Sequence, residues 1–160
     1  MMKRAPWRTY LFWIVLAEAV GATSGWATRE GVQVYGATVV KPLLSPPPIV
    51  FPIVWTLLYA LMGIGAARIC LAPPSKDRTM GSWLFLGQLA FNFSWSFIFF
   101  DAQAFGAAFL WLLVLLGLVL WMVLSFRRVD RIAAALQIPY VAWLVFAGYL
   151  TLSVWSLNAP

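Results

Sequence analysis

The sequence predicts an all-α integral membrane protein, a single domain over residues 1–160 built as a bundle of five transmembrane helices. Three observations carry that expectation. Of the 160 residues 63% are hydrophobic and 10% are charged, with a mean hydropathy of +0.87. A soluble domain averages about 45–50% apolar and about 25% charged residues, so a globule of this composition could not cover its own surface, and a disordered chain would be far more polar. Second, the chain divides into five charge-poor stretches, at 9–27, 49–71, 81–100, 104–126 and 132–157, each near the about 20 residues that cross a bilayer. Their apolar runs are continuous, without the alternation of a membrane barrel, which leaves helices as the way to satisfy the backbone. Third, Lys3, Arg4, Arg8, Arg68, Lys76, Arg78, Arg127, Arg128 and Arg131 fall on one side of a five-span bundle, and only Arg29 and Lys41 on the other. The positive-inside rule then places the N-terminus in the cytoplasm and the C-terminus outside. That fits insertion into a bacterial inner membrane and accounts for the net charge of +6 without nucleic acid.

The first span, 9–27, follows a basic start and resembles a signal peptide. Trp26 spoils the cleavage site Gly25-Trp26-Ala27 and Glu18 interrupts the apolar run, so a retained helix is expected. Ala17, Gly21 and Gly25 form a ridge of small residues suited to close helix approach. Glu18, the one acid well inside a span, has no second acid, His or Lys at similar depth with which to relay protons. The stretch 28–48 reads as a long outer loop, stiffened at Pro46-Pro47-Pro48, and serves either as a lid or as a passive connector.

In the second span Phe51, Trp55, Tyr59 and Met62 share one helix face, and in the third Gln88, Asn92, Trp95 and Phe99 do so. Amides in hydrocarbon are costly unless satisfied, so the third span's polar face points into the bundle. There it either hydrogen-bonds helix to helix or anchors a ligand. The fourth span, with no strongly polar residue between Phe105 and Leu124, reads as the most lipid-exposed or purely structural helix. The fifth carries Tyr140, Trp143, Ala147 and Thr151 on one face, after Pro139, which is expected to kink it. One aromatic stripe is ordinary packing. Three such stripes on three helices, two amides among them, suggest a pocket for a flat, largely apolar ligand.

Conventional chemistry is largely excluded. The chain has no His and a single cysteine, Cys70. Its residues offer no metal site, no internal disulfide and no acid, base or nucleophile constellation.

These residues resemble the TspO/translocator protein family, the tryptophan-rich sensory proteins or peripheral-type benzodiazepine receptors. The resemblance rests on Lys41-Pro42, Pro46-Pro47, Val50-Phe51-Pro52, Trp55-Thr56 and Leu58-Tyr59. It continues through Gln88-Leu89, Asn92, Trp95-Ser96 and Phe99-Phe100, then Pro139-Tyr140, Trp143, Ala147 and Leu157-Asn158, over roughly residues 9–158. It implies a five-helix bundle, often a homodimer, with a cavity beneath the first outer loop that takes porphyrins and, in some members, cholesterol and synthetic ligands. Carried over residue by residue, the ligand-binding set is Trp55, Tyr59, Asn92, Trp95, Trp143 and Ala147. Gln88 and Tyr140 join it from the polar stripes. Leu43 and Leu44 stand where the family often has aromatics, Tyr35-Gly36 replaces an aromatic pair, and Thr151 replaces an Asn. Tyr149 is followed by no Lys or Arg, so nothing argues for sterol binding.

The leading expectation is a membrane receptor or binding protein for porphyrins, in stress signalling or tetrapyrrole traffic, with the porphyrin as ligand and no cofactor. The alternative the resemblance supplies is light-dependent porphyrin oxidation by Trp55 and Trp143, with no other catalytic residue assigned. A tetrapyrrole transporter is the third, although the chain shows no internal repeat.

Overall fold

The computed structural model describes residues 6–160; Lys3 and Arg4, counted above toward the basic side, lie outside the described residues. The chain forms α1 (Pro6–Ala27), α2 (Arg29–Thr38), α3 (Val50–Leu71), α4 (Lys76–Ser96), a π-helical turn (Phe97–Asp101), α5 (Phe105–Val129), α6 (Arg131–Ala135) and α7 (Ile138–Asn158). Five membrane spans result, from α1, α3, α4 with its π turn, α5, and α6 with α7. The protein is an all-α, multi-pass membrane bundle, and there is no strand among the described residues. α1 packs on α3, α4 on α5, and α5 on α7, with α1 and α3 also touching α4.

Small residues set the close approaches. A Cβ at Gly21 would run into the Tyr59 ring, so α1 crosses α3 there only because Gly21 has no side chain. Gly63 lies in the same way against the backbone of Trp13 and Ile14, within 2.9 Å for an added Cβ. Ala17 is fully buried on the same ridge, whereas Gly25 meets nothing. Only Ala17 and Ser24 of α1 are buried, against seven residues of α5. The most exposed span is therefore α1, not α5. α5 buries one side against two neighbours, and an evenly apolar sequence gives no sign of which side that is.

At the basic end, short polar side chains close the helix termini. The Ser75 hydroxyl accepts the Arg78 N–H (3.0 Å), and Asp130 Oδ1 accepts the N–H groups of Ile132 (2.8 Å) and Ala133 (3.1 Å), starting α6. Asp130 Oδ2 also takes the Arg68 guanidinium at 2.8 and 2.9 Å, tying the end of α3 to the start of α6. Burial alone would raise the Asp130 pKa. The Ala133 N–H, the Arg68 guanidinium and the Ile132 N–H outweigh it and hold the carboxyl below its ordinary value.

Three further features depart from the sequence expectations. The loop over 28–48 contains a helix, α2, lying on the π turn. A Cβ at Gly31 would sit 2.8 Å from the Phe100 carbonyl, so glycine permits that contact. The third span is longer than 81–100, because Ser75 caps it early and the π turn prolongs it to Asp101. Pro139 does not kink a continuous helix. It stands in the first turn of α7, after the chain has broken at Leu136–Gln137, where its missing N–H costs nothing.

Candidate functional site

Helical periodicity brings Tyr59 of α3, Gln88 and Asn92 of α4, and Tyr140 of α7 to the bundle interior, where all four are buried. They close a hydrogen-bonded chain. The Tyr59 hydroxyl donates to Asn92 Oδ1 (2.6 Å), Asn92 Nδ2 donates to the Tyr140 oxygen (2.8 Å), and the Tyr140 hydroxyl donates to Gln88 Oε1 (2.8 Å). Gln88 Nε2 ends the chain on the Met62 sulfur at 3.8 Å. Each amide thus has partners on neighbouring helices, the arrangement expected of interhelical cross-linking. The geometry also ties the two tyrosine rings to fixed positions beside Trp55.

Trp55 lies 5.4 Å from Tyr59, 6.2 Å from Tyr140 and 6.4 Å from Trp143, ring centre to ring centre. Trp143 in turn meets Phe51 (5.9 Å) and Phe146 (5.5 Å). α3 and α7 are linked toward the basic end through α6 and through Gln137, whose amide donates to the Leu61 carbonyl (3.4 Å). Beyond that point they leave a groove of about 480 Å³ between them, walled by Val54, Leu57, Leu61, Pro139, Trp143 and Phe146 among others, all apolar. The volume falls within the about 300–1,000 Å³ of small-molecule sites. Trp143 walls the groove, and Trp55, against which it lies, connects it to the tyrosines of the polar cluster.

Indole N–H groups separate the tryptophans further. That of Trp95 donates to the Ala108 carbonyl (3.0 Å) and that of Trp111 to the Phe91 carbonyl (3.1 Å). Among the described residues, neither Trp55 nor Trp143 has such a partner. Trp95 stacks on Phe99 at 4.7 Å and belongs to a second cluster, with Phe100 and Phe105, at the loop end. It also packs against the main core and does not line the groove between α3 and α7. Ala147 packs against the main core without lining the groove, and its carbonyl accepts the Thr151 hydroxyl (2.7 Å).

The loop end is covered. Tyr35 of α2 rests on Phe99 (5.2 Å) and Phe100 (5.3 Å), and Lys41 lies 5.2 Å over the Tyr35 ring. Burial pushes the Tyr35 phenol above its ordinary pKa, so it stays neutral under that cation. Asn158, at the end of α7, brackets Val40: its Oδ1 accepts the Val40 N–H (3.0 Å) and its Nδ2 donates to the Val40 carbonyl (2.9 Å). Among the described residues no three His, Cys, Asp or Glu side chains come together to hold a metal ion.

Sequence reasoning missed several participants. Phe146 lies one turn from Trp143, and Leu61 and Val54 flank the Trp55 stripe; they read as ordinary span residues. Gln137, fully buried with its Oε1 unpartnered, sits one turn before Tyr140 on the same face, a spacing that could have flagged it.

Fold and site together define a small polytopic membrane protein of five spans, with an aromatic-walled groove beside a buried tyrosine–amide network. Comparison with known proteins agrees. Residues 13–156 match the TspO/MBR family. The chain is 35% identical to tryptophan-rich protein TspO of Chlorobaculum tepidum, over 91% of this chain and 92% of that one. It is 34% identical to translocator protein of Bos taurus, over 96% and 92%, and 37% identical to protein CrtK of Rhodobacter capsulatus, over 74% of each. The chain belongs to the TspO/MBR family.

Proposed function

We propose that the protein is a membrane receptor or binding protein for porphyrins, serving tetrapyrrole signalling or traffic, and that the porphyrin lies in the groove between α3 and α7. The observation that carries this reading is the groove itself: about 480 Å³, wholly apolar, and walled by Trp143 next to Trp55. Stacking against an indole contributes about 0.5–1.5 kcal/mol beyond area burial, which suits a flat ring system. Unengaged indole N–H groups on these two tryptophans leave donors for the ligand's polar edge. Trp143 then meets the ligand directly, Trp55 stands behind Trp143, and Tyr59 and Tyr140, held by Asn92 and Gln88, back Trp55. Trp95 and Ala147 act from farther away. The bundle is oriented with its basic end in the cytoplasm and inserts in a bacterial inner membrane, and it works as a homodimer. Porphyrin titration followed by tryptophan fluorescence tests the reading. Saturable quenching at one site per chain supports it, and quenching that rises linearly with porphyrin contradicts it.

One observation favours a second reading, light-dependent oxidation of the bound porphyrin: Trp55 and Trp143 are in edge contact, and Trp55 adjoins a hydrogen-bonded tyrosine. Porphyrin absorbance during illumination, with and without protein, separates binder from enzyme.

A further inference from the structure

A second groove, of about 490 Å³, opens at the basic end beside α1. Arg8, Thr9, Phe12, Trp13 and Cys70 line it. Their order in depth is amphiphilic. Arg8 and Thr9 belong to the first turn of α1, Phe12 and Trp13 lie about 6 Å farther along the helix at 1.5 Å per residue, and Cys70 is in the last turn of α3. A cation, a hydroxyl and the Cys70 thiol thus stand at the membrane face, with aromatic surface below them.

The charge there is uncompensated. The ion pairs among the described residues are Arg68–Asp130, Arg128–Asp77 and Arg29–Glu30, so neither Arg8 nor Arg78 has a carboxylate partner. The first five residues carry no carboxylate side chain that could supply one. Arg78 points to the same turn of α3, its guanidinium donating to the Cys70 carbonyl at 2.7 Å. Arg78 therefore reaches, from α4, the turn of α3 whose Cys70 lines the groove together with Arg8. Guanidinium favours phosphate because its donors match two oxygens at once. Below it, Phe12 is 60% exposed and Trp13 half-buried, aromatic surface that hydrocarbon chains would cover.

We propose that this groove is a binding site for one anionic phospholipid of the leaflet at the basic end. Its phosphate sits between Arg8 and Arg78 and its acyl chain lies along Phe12 and Trp13. The site is separate from the groove between α3 and α7 and does not depend on what that groove binds.

Native mass spectrometry of the full chain, released from nanodiscs holding equal phosphatidylglycerol and phosphatidylcholine, tests it. The expected result is one phosphatidylglycerol retained per chain in preference to phosphatidylcholine. Arg8→Gln and Arg78→Gln are each expected to reduce that retention roughly fivefold, the equivalent of one surface cation at an anionic membrane. Arg131→Gln, an equal charge change at the same end but outside the groove, is expected to leave it unchanged. Arg8 makes no hydrogen bond to the bundle among the described residues, so Arg8→Gln decides the matter even if Arg78→Gln does not fold. Retention without preference between the lipids, retention indifferent to Arg8→Gln, or an equal loss with Arg131→Gln would each overturn the site.

Discussion

Trp143 and Trp121 sit on neighbouring helices and could hardly differ more in their surroundings. Trp143, on α7, touches Trp55, Phe51 and Phe146 and walls the groove toward α3. Trp121, on α5, is 52% exposed and has no aromatic partner among the described residues. Trp111, also on α5, stacks on Phe91 at 4.4 Å and donates to the Phe91 carbonyl, so it serves packing. Tryptophan content alone therefore says little. What distinguishes the α3–α7 region is that its tryptophans touch one another and that Trp55 borders tyrosines held by amides, whereas those of α5 face outward or are engaged in packing.

The comparison is sharpened most by glycine. Gly21 lies against the Tyr59 ring, and Gly117, on the outer face of α5, meets nothing. Gly21→Val is expected to overpack the α1–α3 contact and cost about 1–3 kcal/mol. Gly117→Ala is expected to leave stability unchanged or raise it by up to about 1 kcal/mol. Thermal unfolding in detergent measures both, and equal losses would mean that the two regions are packed alike.

Asn92→Leu comes next. It leaves the Tyr59 and Tyr140 hydroxyls without their Asn92 partner in a buried site, where an unmet polar group costs about 1–3 kcal/mol. A loss near 2 kcal/mol, with porphyrin affinity also reduced, is expected from the same unfolding and fluorescence titrations. An unchanged melting temperature would show that the network does not hold the helices. On α5 the matching test is smaller. Trp111→Phe removes one hydrogen bond to a carbonyl and is expected to cost about 0.6 kcal/mol, the average for such bonds in a membrane protein.

How far the sequence reached follows the same division. Spans were legible because apolar length is a local property, and the Trp55–Tyr59 and Gln88–Asn92 faces because helical spacing is too. Spacing fixes a face but not a depth or a neighbour. Trp95 shares Asn92's face yet lies toward the loop end, where Ala108 and Phe99 claim it. The helix at Arg29–Thr38 was hidden by Gly31 and Gly36, which lower helix propensity; its support comes from the π turn below it. Pro139 reads as a kink only if the helix is assumed continuous, and the break before it depends on the Asp130 cap and on Gln137 packing against Gly65. Nothing local announces the Asn158 bracket on Val40, which joins positions 118 residues apart.

The weakest expected effect lies outside both regions, at Asp130. Its depressed pKa means that its ion pair and cap stabilise the fold fully above the unfolded value of about 3.8 and that this contribution is lost as pH falls through the lower folded value. At about 20–30% side-chain exposure the pair is partly screened and contributes well under 1 kcal/mol. Asp130→Asn is expected to lower the melting temperature slightly at pH 7 and to narrow the gap from wild type at pH 3. A gap that widens on acidification would contradict the assignment.

The most direct test of the account is porphyrin affinity in Trp143→Leu and Trp121→Leu, each measured by fluorescence quenching beside the wild type. Losing the Trp143 indole removes both stacking and buried contact, and the account predicts roughly tenfold weaker binding, about 1.4 kcal/mol, with Trp121→Leu indistinguishable from wild type. Equal losses in the two variants would mean that the tryptophans act through general stability and that the groove between α3 and α7 is not the site.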